Sequence, residues 1–195
     1  SYLKANGMQR TSNLNDEEPM GQLTADKLDA AAVLFQRYRV SLFNFFLRQG
    51  LAREVSEDLV QSIFERVIKY RQSYRRGMAF RAWLYQIARN VQADFQRQGS
   101  NKVKEDISKY ENHLELSENG LMGLGFEREE NLAQMEKAMQ QLPKDQLEIL
   151  LMTRYQRMKY MEVAELLGCT EGAVKLKVFR ALQQLRSLYF KLQKS

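Results

Sequence analysis

The segment Tyr160-Met-Glu-Val-Ala-Glu-Leu-Leu-Gly-Cys-Thr-Glu-Gly-Ala-Val-Lys-Leu-Lys-Val-Phe-Arg180 carries the residue types of two short helices joined by a sharp turn. Val163, Ala164 and Leu167 share one face of the first helix, and Val174, Val178 and Ala181 share one face of the second. Gly168 supplies the backbone freedom that a tight turn demands, and Thr170 has the side chain of an N-cap. Ala164 is small where the second helix would cross close above it. This is the spacing of a helix-turn-helix, in which the second helix enters the major groove with its early residues at base edges. Thr170, Glu171, Gly172, Lys175, Lys177 and Arg180 then face outward, offering donors, an acceptor and phosphate-neutralising charge. The same pattern also fits an αα-hairpin in a helical core whose basic residues are merely solvated. Cys169, at the turn, reads as a small packing residue and not as a nucleophile.

Working outward, the rest of the chain is also helical in character. A helix is expected from Asn131 to Gln141, and Pro143 can open the next, which Leu147, Ile149, Leu150 and Leu151 carry onward. Far upstream, Leu28, Ala31, Ala32, Phe35, Tyr38, Leu42, Phe45 and Phe46 recur at helical spacing until Gly50. A second helix is expected to open near Ser56, with Glu57 and Asp58 at the positive end of its dipole. Phe80, Trp83, Leu84, Ile87, Ala88, Val91 and Phe95 mark a third that ends near Gly99. The expected fold is all-α: two small helical domains, 27–99 and 132–195, joined by a flexible linker over 100–131. Residues 1–26 read as a flexible extension.

The composition narrows the function. One His and one Cys in 195 residues leave no disulfide framework, no zinc-ligand spacing and no common catalytic triad. No phosphate-cradling glycine loop is present, no apolar run approaches a membrane span, and no signal-peptide pattern opens the chain. The expectation is a cytoplasmic, non-enzymatic protein without cofactor or metal and without membrane insertion. The net charge of +6 is unevenly placed. Residues 27–99 carry +7 and 136–195 carry +5, whereas 1–26 carry −2 and 100–135 carry −4. Two basic helical blocks separated by an acidic segment fit an anionic partner held at two places.

Taken together, the blocks resemble bacterial RNA polymerase sigma factors of the compact extracytoplasmic-function (ECF) type in the sigma-70 family. In the first block the resemblance rests on Ser56-Glu-Asp-Leu-Val-Gln-Ser-Ile-Phe64, on Phe80-Arg-Ala-Trp-Leu-Tyr-Gln-Ile-Ala-Arg-Asn90, and on Asp94 and Arg97. In the second it rests on Leu142-Pro-Lys144, Glu162-Val-Ala164, Leu166-Leu-Gly-Cys169 and Glu171-Gly-Ala-Val-Lys175. It implies a sigma region 2-like domain over 27–99 and a region 4-like domain over 132–195. The first would bind core RNA polymerase (β′ clamp and β subunits) through Asp58, Leu59, Gln61, Phe64 and Glu65. Phe64 on its own reads as ordinary core, with a docking contact as the other reading. The loop over 71–80 and the helix after it would recognise and melt the −10 element, with Arg75, Arg76, Arg81, Arg89 and Arg97 supplying charge and Asn90 reading a base edge.

Trp83 has the spacing of a core residue, although a stacking platform is the other reading. Asp94 is expected to orient a neighbouring arginine. The −35 element would be read by the helix-turn-helix, where Leu176 and Leu182 replace the small polar and basic residues usual in relatives. The acidic linker would thread the polymerase channel for nascent RNA or simply be solvated. Promoter DNA and an anti-sigma factor complete the implied partners. Two other functions remain open at this point: a stand-alone helix-turn-helix regulator, and a sigma-like decoy that binds an anti-sigma protein.

Overall fold

The computed structural model describes residues 15–99 and 129–194, and every regular element among them is helical. Four helices build the N-terminal half: α1 (Glu17–Thr24), α2 (Ala30–Leu47), α3 (Arg53–Lys69) and α4 (Phe80–Gly99). Four more build the C-terminal half: α5 (Glu129–Gln140), α6 (Lys144–Leu150), α7 (Tyr160–Leu167) and α8 (Glu171–Gln193). A 3₁₀ turn over Arg71–Ser73 follows α3, and a π-helical turn over Leu151–Tyr155 continues α6. The 100–128 part of the expected linker lies outside the described residues, and its last three residues already belong to α5.

In the N-terminal half α2 packs between α1 and α3, and α3 packs in turn on α4. Leu34, Leu42, Phe45, Phe46, Ile63, Val67, Leu84 and Ala88 are fully buried where these helices meet. The stripe expected on α2 is shifted: Leu28 precedes the helix and is exposed, Ala32 is exposed, and Leu34 is buried instead. Ser56 does not cap α3. The helix opens three residues earlier, and the Ser56 hydroxyl, one turn inside, donates back to the Ala52 carbonyl at 2.9 Å.

The segment read as a flexible extension needs a larger correction. Its final part forms α1, with Met20 and Leu23 wholly buried against α2. Asp16 secures the junction: Tyr38 on α2 donates its hydroxyl to Oδ2, and Arg37 Nη1 lies 3.0 Å from Oδ1. At the other end of α1, Arg71 donates to Asp26 at 2.6 Å and Gln72 to the Thr24 carbonyl at 2.8 Å. Residues 1–14 lie outside the described residues.

In the C-terminal half α8 is the central strut, touched by α5, α6 and α7. Val174, Val178, Ala181, Leu185 and Tyr189 form its buried face. The turn between α7 and α8 is built as the residue types demand. Gly168 adopts φ +62°, a left-handed conformation that costs a residue with a Cβ, and the Cys169 amide donates to the Ala164 carbonyl at 3.0 Å. The Thr170 hydroxyl accepts from the Ala173 amide at 3.1 Å, closing the first turn of α8.

Candidate nucleic-acid interface

On α8, the exposed side opposite Val174 and Val178 presents Gly172, Leu176, Phe179 and Arg180. Glu171 and Lys175 flank it and lie 3.8 Å apart, both well exposed, so that this pair opens readily for another partner. Thr170, Glu171, Gly172, Lys175, Lys177 and Arg180 thus all sit on the solvent side of the turn and the helix. Phe179, 59% exposed, and Leu176, 48% exposed, stand in the middle of that face. Phe179 was not among the expected site residues. The signal was available, because a Phe out of phase with the buried face of an amphipathic helix has no core to enter. Apolar groups on a recognition helix can contact the methyl group of thymine, which only the major groove presents.

The N-terminal cationic set divides. Arg75 and Arg76 are exposed on the loop between the 3₁₀ turn and α4, and Asn90 and Arg97 are exposed on α4. Asp94 accepts from Arg66 and from Arg97, at 2.6 Å each. These two arginines hold its carboxyl below the usual carboxylate range, the Arg66 hydrogen bond contributing most. One carboxylate thus ties Arg66 of α3 to Arg97 of α4.

Arg81 and Arg89 depart from the expectation of exposed charge. The Arg81 guanidinium is buried; it donates to the Gln156 carbonyl, approaches the Arg157 carbonyl at 3.5 Å and lies 3.8 Å from the Glu162 carboxylate. Arg89 Nε meets Glu148 Oε1 at 2.9 Å. All of these partners belong to the C-terminal half. Trp83 is buried, its ring edge-on to Tyr74 at 5.4 Å and tilted against Phe80 at 6.1 Å, which makes it part of the wall beneath the loop.

The expected polymerase-docking set divides as well. Asp58, Gln61 and Glu65 are exposed on one side of α3, whereas Leu59 and Phe64 are buried. Phe64 packs edge-to-face on Phe35 at 5.1 Å, so it holds α3 on α2 and presents no surface of its own. The helical period explains the split, because positions 59 and 64 fall on the buried part of α3 when 58, 61 and 65 turn to solvent. Beside them Phe35, Val40, Phe43 and Val60 line a shallow apolar groove rimmed by Arg39, Arg53 and Glu57.

Among the described residues no group of His, Cys, Asp and Glu could hold a metal ion, and no helix is long and apolar enough to cross a membrane.

Two family models match the chain: "Sigma-70 region 2" over residues 34–101 and "Sigma-70, region 4" over 132–185. Among curated proteins, the ECF RNA polymerase sigma factor ShbA of Streptomyces griseus is 32% identical over 177 residues, 86% of this chain and 87% of that protein. The ECF RNA polymerase sigma factor EcfG of Rhodopseudomonas palustris is 28% identical over 172 residues, 88% of each chain. Among solved structures, CnrH in complex with the cytosolic domain of CnrY superposes with a TM-score of 0.66 at 22% identity, covering 89% of this chain and 96% of that one.

Proposed function

The chain belongs to the sigma-70 family as an ECF-type sigma factor, and from that premise we propose how its two halves divide the work of promoter-specific transcription initiation. The N-terminal domain docks on core RNA polymerase through Asp58, Gln61 and Glu65 and the apolar groove beside them. Arg75, Arg76, Asn90 and Arg97, joined by Arg81 and Arg89 once these are released, take the displaced strand of the −10 element. The C-terminal helix-turn-helix reads the −35 element with the outward face of α8. The observation that carries this reading is the juxtaposition on one α8 face of Lys175 and Arg180, which neutralise phosphate or grip guanine, with Leu176 and Phe179, which suit thymine methyls.

Melting in this scheme is driven by binding. Unpairing costs a few kcal/mol, and cationic contacts to the freed strand offset it. The chain makes and breaks no bond. An anti-sigma protein belongs to the proposal as a further partner, supported by family membership. A pull-down with this chain as bait, followed by loss of transcription when the captured protein is added back, tests it.

The primary test is transcription in vitro with core polymerase over a promoter library. Transcripts with defined starts, absent with core enzyme alone, are expected; none above the core-only background would overturn the reading. Replacing Lys175 or Arg180 with Ala is expected to weaken binding to a −35 duplex by about 1–3 kcal/mol where a base contact is lost. A gel-shift titration measures this, and an unchanged affinity for both variants would move the reading face elsewhere. Asp58→Asn is expected to lower affinity for core polymerase severalfold while leaving −35 duplex binding as it was, read by fluorescence anisotropy with each ligand separately.

A further inference from the structure

At ~100° per residue, Gly172, Leu176 and Phe179 lie within roughly 60° of one another around α8. The buried face of Val174, Val178 and Ala181 lies opposite. Lys175 stands on one flank of the exposed strip and Arg180 on the other, both exposed. In cross-section this arrangement complements a major groove, which has phosphates along both rims and base edges on its floor. The sizes agree, since a helix with its side chains is about 10–12 Å across and the groove about 12 Å wide. Lys175 and Arg180 therefore fall to the rims, and the three central residues fall to the bases. Gly172 belongs to this centre for a reason outside the fold. Its φ is not positive, and a Cβ there would meet only the Thr170 hydroxyl oxygen, at 3.9 Å. Neither packing nor backbone demands a glycine that weakens the opening of the helix. Its bareness lets the start of α8 come close to the groove floor.

Leu176 and Phe179, 48% and 59% exposed, have neither donor nor acceptor to offer a base. Laid against a purine, either would cover N7 and the exocyclic group and return no hydrogen bond. The C5-methyl of thymine is the one apolar group on the groove floor. Three residues apart, the two side chains are separated by about 4.5 Å along the helix axis, against ~3.4 Å for one base step, so they reach neighbouring base pairs. We propose that α8 reads the −35 element through pyrimidine C5-methyl groups: Leu176 and Phe179 each take one methyl on adjacent steps. The element accordingly carries thymine at both steps, and 5-methylcytosine, with the same methyl on the same ring carbon, can stand in for it. Cytosine methylation at either step then becomes an input that raises occupancy of the promoter.

The inference rests on the proposed assignment of α8 to the −35 element, and the experiment keeps the two apart. The full chain is assembled with core polymerase, and affinity is measured for a promoter duplex that this assembly transcribes. Each −35 thymine is exchanged in turn for deoxyuridine, which removes one methyl and leaves every hydrogen-bonding group in place. A loss of about fourfold, the worth of one buried carbon, is expected at two neighbouring base pairs. Leu176→Ala should abolish the response at one of them and Phe179→Ala at the other. Both side chains are exposed, so the variants should keep the thermal stability of the wild type.

A second arm adds the methyl back on the other pyrimidine. At a responsive position, a G·C pair with unmodified cytosine should bind more weakly than the thymine pair. Methylating that cytosine at C5 should recover about fourfold in the wild type, and nothing in the variant that has lost the response. Deoxyuridine that binds as well as thymine at every position would overturn the inference. So would methyl responses that persist unchanged in both variants. Failure of the underlying assignment looks different: affinity would also be indifferent to Lys175→Ala and Arg180→Ala. Failure of the sigma reading would show earlier still, as the absence of any specific transcript.

Discussion

Trp83→Ala is expected to remove about 3–5 kcal/mol from the stability of the N-terminal domain, the usual loss when a large buried aromatic is truncated. The indole is 7% exposed and supports the loop over residues 74–79 through Tyr74 and Phe80. Tyr74 in turn donates its hydroxyl to the Met78 carbonyl at 2.7 Å, closing the loop on itself. Truncation therefore empties the space beneath the loop that carries Arg75 and Arg76. Denaturant unfolding followed by far-ultraviolet circular dichroism measures the effect, since the variant lacks the chain's one Trp as a fluorescent reporter. Trp83→Phe keeps the aromatic wall and should lose far less. The competing role, a platform on which an extruded base stacks, makes the opposite prediction: native stability for Trp83→Ala with weakened −10 binding. That outcome would return Trp83 to the DNA surface.

The same residue shows which parts of the site were legible in the sequence. The phase of Trp83 against Phe80, Ile87 and Val91 places it inward, because an α-helix offers only one face to its core. Gly168, Thr170 and the apolar positions around them locate the helix-turn-helix for a similar reason: each requirement is met within a few residues. Phase also separates Leu59 and Phe64 from Asp58, Gln61 and Glu65, so their assignment as docking residues gave too much weight to a motif read as a block. Arg81 and Arg89 were not legible. Whether an arginine on a helix meets solvent, DNA or another domain depends on what packs opposite it. Here the opposing groups lie 59 to 81 residues away in sequence, on the far side of the linker. Acidic composition hid α1, yet Asp16-Glu17-Glu18-Pro19 is a helix-opening pattern, with negative charge at the positive end of the dipole and proline in the first turn.

Asp16→Ala is expected to cost about 3 kcal/mol and to detach α1, because one carboxylate satisfies donors on two neighbouring residues of α2. Tyr38 is 1% exposed, and its hydroxyl has no water to turn to once Asp16 Oδ2 is gone. Burial, then the hydrogen bond to Asp16, raises the Tyr38 pKa, so the phenol stays protonated and remains a donor that must be satisfied. Arg37 loses its ion pair but keeps the Asn15 carbonyl at 2.8 Å and, being partly exposed, can turn to water. The larger share of the loss therefore belongs to Tyr38. Asp16→Asn, whose side-chain carbonyl still accepts from the phenol, should retain most of the stability, and Asp16→Ala combined with Tyr38→Phe should recover part of it by deleting the stranded hydroxyl. Hydrogen exchange over 17–24 reads the detachment directly: Asp16→Ala should bring these amides close to free-chain rates while α3 and α4 keep their protection. Unaltered protection over 17–24 would mean that Met20 and Leu23, with the Arg71 and Gln72 contacts at the far end, suffice to hold the helix, and that the carboxylate is dispensable to it.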